Sequence, residues 1–287
     1  MEKNAILGVL ATEVEQGRLI FPTSAAAAIK IKEKLEDPNC SMDSMARLIQ
    51  AEPLLSTKVV AIANSPVFNR SGRKITSVRS AVTLIGMRTV RNLATAVVVQ
   101  QLVGSLTKSE QVAQLWKHSV YVAALAQVIA HRVTWQDPET AMFAGMIHEI
   151  SWFYLLAREK YYPGLTDESM TSSWNSDEEL EEDEGELNCE IIIGTAVLKA
   201  LSVPDPVLEN IIYLWQGYLT FPPNSLGDTL QIANQLAPVR SPFTLPSDQR
   251  YSDASANINL LIDDTTLSEI LKDSEDEVRL LTEALCA

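Results

Sequence analysis

"LEDPNCSMDSMARLIQAEPLLSTKVVAIANSPVFNRSGRKITSVRSAVTLIGMRTVRNLA", residues 35–94, is the stretch that decides the fold. It alternates short apolar-periodic runs with chain breakers. Asp37-Pro38-Asn39 ends a helix that runs over 24–36. Residues 41–50 put Met42, Met45, Ala46 and Ile49 on one helical face, with Ser41 placed to cap the first turn. Pro53 opens a helix over 54–64 that turns Leu55, Val59, Ile62 and Ala63 inward. Residues 64–74 read as loop, Ser77 as the cap of the next helix, and Gly86 as its end. A further helix is expected over about 88–104.

The same grammar continues outward. A helix is expected over 110–133, carrying Trp116, His118 and His131. Asp137 and Pro138 form a cap-then-proline start for a helix that runs to about 157 and carries "IHEISWFYLL". Apolar periodicity is lost over 163–188, where "DEELEEDEGE" (177–186) holds eight acids in ten positions and reads as a solvated loop. Helices return at 189–201, after Asp205-Pro206, at 226–237 and at 266–285. No run alternates long enough to build a sheet, and no repeat period appears. The fold class expected is all-α.

Composition agrees. Hydrophobic residues make up 46% of the 287-residue chain but aromatic ones only 6%, so Ala, Leu, Val and Ile carry the core, which favours helix over strand. The three cysteines, Cys40, Cys189 and Cys286, are far apart and odd in number. They offer neither a disulfide framework nor zinc spacing, which points to a reducing compartment. No signal peptide or membrane-spanning run is evident, so a cytoplasmic location is expected. A net charge of −14 argues against phosphate-driven nucleic-acid binding. The charge is uneven: residues 1–108 carry 14 basic and 8 acidic side chains, residues 109–287 carry 9 and 29. That shift suggests two subdomains. Arg70, Arg73, Lys74, Arg79, Arg88 and Arg91 form a basic run that is either a solvated face or an interaction patch for an acidic partner; no aromatic residues interleave with it to suggest nucleic acid.

Chemistry-bearing motifs are sparse. Only three histidines occur, His118, His131 and His148. His131 lies 13 residues after His118, roughly 220° further round one helix, so the two cannot share a site from it. His118 and His148 sit on neighbouring helices and can meet. With Glu149 they offer three ligands, where metal-assisted phosphoester hydrolysis draws several from different helices and keeps a position open for water. A buried, hydrogen-bonded pair is the plainer reading. There is no nucleophile elbow, P-loop or dinucleotide-binding glycine pattern. Trp116, Trp135, Trp152, Trp174 and Trp215 are assigned to core or interface packing.

Residues 35–94 resemble the first half of an HDOD domain, a bacterial signalling family: Asp37-Pro38, Glu52-Pro53, Ala63-Asn64-Ser65, Ile75-Thr76, Ala81 and Ile85-Gly86 stand at the family's spacing. The second half resembles a degenerate HD fold through "LWKHS" (115–119), "AGMIHEI" (144–150), "IIIGTAVLKALSVPDPV" (191–207) and "IANQLA" (232–237). The resemblance covers 10–285. It implies a multi-helical HDOD fold with an N-terminal helical subdomain (10–108) and a C-terminal degenerate HD-like bundle (109–285) containing the acidic loop 165–188. Carried over by position, it implies a vestigial HD site of His118, His148, Glu149, Glu190 and Asn234. Tyr213–Trp215 stand where paired histidines belong, and Ser151-Trp152 where related phosphodiesterases place a lysine. The implied protein is a non-catalytic regulatory module without cofactor or metal. Its partner is a signalling protein of unknown identity, with room for a small ligand in the former active-site pocket. The alternatives are a residual metal-dependent phosphohydrolase and a nucleic-acid-linked regulator.

Overall fold

The computed structural model describes residues 6, 9–10, 12–14, 16–21, 23–102, 110–163, 165–166, 189–220, 222–243 and 272–286. The acidic run 177–186, Trp174 and the first residues of the helix expected at 266–285 lie outside them. Among the described residues there is no strand.

Three short helices open the chain: α1 (Thr23–Leu35), α2 (Met42–Gln50) and α3 (Pro53–Ala63). Their boundaries follow from local chemistry. Ser41 accepts from the Ser44 amide at the start of α2, and Glu52 does the same from Leu55 ahead of Pro53 at the start of α3. The inward faces are as expected except at Met42, which is 38% exposed. It occupies the first helical position of α2, before the chain has turned toward the core. The long helix α4 (Val78–Leu102) is started by Ser77, whose hydroxyl accepts from the Ser80 amide. It is broken at Gly86, where φ is 82° and ψ 159°. This is the one helix among the described residues long and apolar enough to cross a membrane; the kink divides it, and 61% of its apolar window is buried within the molecule.

The second half is built on α5 (Glu110–Ile129), which continues as a π-helical turn over Ala130–Thr134 and packs most extensively against α6 (Pro138–Ile147). Gly145 permits that packing, because a Cβ there would overlap the Ala123 backbone. Asp137 occupies the N-cap position of α6, with its carboxylate held by Arg88 and by the Thr140 hydroxyl. The expected single helix from 138 to 157 is two: α6 stops at Ile147, and α7 (Ile150–Arg158) begins after His148 and Glu149. The histidine and the carboxylate therefore sit in a helix-to-helix joint. Then come α8 (Cys189–Ala200), α9 (Asp205–Trp215), α10 (Leu226–Leu236) and α11 (Glu275–Cys286). Helix α9 starts one residue earlier than the expected cap, with Pro204 as N-cap and Asp205 already helical.

The core is continuous across both halves. Helix α11 returns from the C-terminus to pack on α5 and α3. Lys58 of α3 is 1% exposed and donates its ammonium to the Leu285 carbonyl at the end of α11, while standing 5.3 Å over the Trp116 ring. Trp116, Trp152 and Trp215 are buried, but Trp135 is 81% exposed. It lies at the end of the π-turn with φ 55°, a left-handed conformation that ends the helix and leaves the indole outside the core.

Candidate functional site

His118 projects from the middle of α5, His148 ends α6 and Glu149 precedes α7. The joint between α6 and α7 brings the adjacent pair up against α5. The three side chains are 1%, 2% and 7% exposed. Their ligand-type atoms lie within 4.8 Å of one another. His118 Nε2 is 3.4 Å and His148 Nε2 3.7 Å from Glu149 Oε1. The two rings are tilted by 60° with centroids 5.3 Å apart.

Proton placement follows from the far side of each ring. His118 Nδ1 is 2.7 Å from the Val239 carbonyl oxygen, and His148 Nδ1 is 2.7 Å from that of Gly145. A carbonyl only accepts, so both Nδ1 atoms carry the proton. In the neutral rings both Nε2 atoms are then bare lone pairs, and neither has a hydrogen-bond partner. Burial drives the His148 imidazole down to about 4, against a partial counter-pull from Glu149, so it is neutral at pH 7. Burial alone would raise the Glu149 carboxyl, but the facing His118 imidazole, the nearby His148 ring and a hydrogen bond from Ser241 hold it below the ordinary carboxylate range. Two imidazole nitrogens and a carboxylate oxygen thus converge at a buried point, an arrangement that asks for a proton, a water or a cation between them.

An HD-type fold implies a metal, and this donor set fits one ion of the zinc class. A tetrahedral centre with bonds of 2.0–2.2 Å separates its ligands by about 3.3–3.6 Å, close to the two nitrogen–oxygen distances. His118, His148 and Glu149 would hold the ion, with Val239 and Gly145 fixing the ring tautomers. When bound, such an ion supplies Lewis acidity.

Two further residues of the expected set come from other helices. Asn234 is on α10, partly buried, and Glu190 is in the first turn of α8, with its side chain outside the described residues. Trp215 donates its indole N–H to the His148 carbonyl at 2.9 Å, and its ring lies so close to Gly194 that any side chain there would overlap it and the Ser151 hydroxyl. Trp152 stacks on Phe243 at 4.2 Å. These positions are filled by packing groups. His131 is exposed, away from the triad, as its helical phase requires.

Of the basic run, Arg79 pairs with Asp43, Arg88 bridges Asp137 and Glu139, and the Arg91 Nε donates to the Leu35 carbonyl. Arg70, Arg73 and Lys74 are exposed on the loop after α3. Sequence reasoning missed three groups. The Val239 carbonyl leaves no sequence mark, and Trp215, read from sequence as packing at a replaced histidine position, gives no sign there of its bond to the His148 carbonyl. Asp228 does leave one, the Ser-x-x-Asp capping box of residues 225–228. Its carboxylate, fully buried, accepts from Thr220, Asn224 and Ser225, which holds it below its ordinary value despite burial.

Residues 21–216 match the HDOD domain family. The chain belongs to the HDOD family. Solved structures agree on the fold. A Shewanella amazonensis SB2B protein provisionally named a metal-dependent phosphohydrolase superposes with a TM-score of 0.71 at 20% identity, covering 99% of each chain. An HDOD domain protein of unknown function from Geobacter sulfurreducens gives 0.60 at 22%, again over 99% of each. A Marinobacter aquaeolei VT8 protein provisionally named for signal transduction gives 0.56 at 17%, over 99% of this chain and 66% of that one. No curated protein matches the HDOD chain.

Proposed function

We infer that this HDOD protein is a regulatory module that binds a protein partner in signal transduction and turns over no substrate at its HD-like site. The observation that carries the reading is closure. A hydrolytic centre must present its ligands to a substrate-sized opening, whereas His118 and His148 are 1% and 2% exposed and Trp215 packs onto the backbone of the pair. The replaced positions, Tyr213–Trp215 and Asn234, point the same way, as does the naming of the Marinobacter structure. The partner surface in this reading is the exposed Arg70, Arg73 and Lys74, which suits an acidic partner. Nucleic acid is disfavoured by the chain's net charge of −14.

A second reading rests on one specific observation, the convergence of His118, His148 and Glu149, and on the name of the Shewanella structure: a retained metal site with phosphohydrolase activity. Two measurements separate the readings. The purified protein, given cyclic dinucleotides and a generic phosphodiester with Mn²⁺ or Zn²⁺, is expected to release no product above a His148→Ala control. Its melting temperature is expected to be the same with and without chelator. Metal-dependent turnover lost in His148→Ala would overturn the non-catalytic reading. A chelator-dependent drop in melting temperature without turnover would make the triad a structural metal centre, since a bound ion stabilises by mass action.

A further inference from the structure

Lys58 is a buried amine that neither reading above uses. It is 1% exposed on α3, and its amine meets α11 at Leu285 and α5 at Trp116. A buried ammonium is costly unless a carboxylate pairs with it. Lys32 shows the ordinary solution: it is 4% exposed and pairs with Glu36 at 3.3 Å. Lys58 has no acidic partner among the described residues. It donates to the backbone carbonyl of Leu285 and lies 5.3 Å from the Trp116 ring centroid. Burial lowers the amine to about 8, against a counter-pull from the Cys286 thiol. At pH 7.5 the neutral, nucleophilic amine is therefore far commoner here than on a solvated lysine.

The surroundings suit an anion. Trp116 Nε1 and Thr282 Oγ1 are buried donors without a partner. The first belongs to the ring beside Lys58, and the second lies about one turn before Leu285 on the buried face of α11. The other charge at this end of α11 is also a cation, since Lys117 acts on the same Cys286 thiol as Lys58. Cys286 follows Leu285 directly and is exposed, so the amine lies close beneath the surface. That setting admits a small uncharged electrophile and excludes a bulky or charged one.

We propose that Lys58 is a carbon dioxide site, where a carbamate forms whose oxygens accept from the Trp116 indole and the Thr282 hydroxyl. The lone pair of the neutral Nζ bonds to the carbon of carbon dioxide. One C=O π pair moves onto oxygen, and a proton leaves the nitrogen for water. Nothing is oxidised or reduced. The N–H that remains keeps the bond to the Leu285 carbonyl. The side chain changes from cation to anion, which turns repulsion by Lys117 into attraction. The proposal is independent of the partner-binding reading.

The test incubates the full chain with isotopically labelled bicarbonate at pH 7.5. Carbamates are then trapped as ethyl esters with triethyloxonium and mapped by peptide mass spectrometry. Lys58 is expected to carry the labelled ester at an occupancy at least about tenfold above that of buried, paired Lys32 and of exposed Lys117, because its amine is the one held neutral. Trp116→Phe and, separately, Thr282→Val each remove one donor and are expected to lower the Lys58 occupancy by about threefold or more. Thr282→Val is nearly isosteric and keeps the test open if Trp116→Phe fails to fold. Labelling of Lys58 no greater than that of Lys32 and Lys117, or labelling undiminished in Thr282→Val and in a folded Trp116→Phe, would overturn the proposal.

Discussion

At the scale of single residues, the state of each imidazole is set by its far nitrogen. Val239 and Gly145 take the Nδ1 protons, so the Nε2 atoms are the ones that face Glu149. The meeting of His118 with His148 was legible in the sequence, because an imidazole in one helix and a His-Glu pair in the next are local patterns. The carbonyl that orients His118 was not: it lies 121 residues away and any residue type could provide it. The buried, neutral His148 has a consequence for acid stability. Its imidazole titrates near 6.5 when unfolded and at about 4 when folded, so between those values the unfolded chain binds more protons. The stability it contributes is present above 6.5 and is lost as pH falls toward 4. Glu149, also held low, adds its own loss below its unfolded value of 4.5. We expect His148→Ala to cost about 1–3 kcal/mol at pH 7. We also expect the gap between wild type and variant to narrow as pH falls from 7 to 4.5. Urea midpoints at four pH values measure this; a gap independent of pH would mean His148 is not buried neutral.

At the scale of elements, the sequence was informative wherever a boundary has local chemistry. Ser41, Glu52-Pro53, Ser77 and Gly86 each act within four residues of themselves, and the helices start, stop or kink at them. The break at His148–Glu149 was missed because nothing local marks it: no proline or glycine stands there, and the apolar pattern runs straight through. What favours the break is tertiary, including the Trp215 N–H donated to the freed His148 carbonyl. Helix α11 shows the same long-range dependence. Its last turn is held by Lys58, whose buried amine is lowered to about 8 by desolvation. The unfolded amine titrates near 10.5, so the unfolded chain holds more protons between about 8 and 10.5. Wild-type stability relative to Lys58→Met is therefore expected to rise across that window. Chemical denaturation of both proteins at pH 7.5 and pH 10 tests it, and an unchanged difference would show that Lys58 is solvated in solution.

At the scale of the whole molecule, the charge asymmetry that suggested two subdomains is real in composition, yet the packing ties the halves together. Residues before 108 and after 109 share polar links in several places, some buried and some at the surface. Arg158, 3% exposed, pairs with Glu13 at 2.8 Å. Tyr154 accepts from the Ile20 amide, and Arg88 reaches Asp137 and Glu139. Lys58 and α11 close a contact over 227 residues of sequence. Each link is worth little if either half unfolds alone, since opening one half would strand Arg158 and Lys58 without their partners, at a cost on the order of 1–3 kcal/mol each. The opposite net charges of the halves, +6 and −20 by residue count, add attraction that salt weakens. We therefore expect one cooperative unfolding transition. Tryptophan fluorescence should report mainly on the second half, which holds all five tryptophans, and far-UV circular dichroism on both. The two curves should coincide in urea, with the midpoint lowered by raising the salt from 50 to 500 mM. If fluorescence and dichroism separate into two steps, the halves fold independently and the cross-links described above do not couple them.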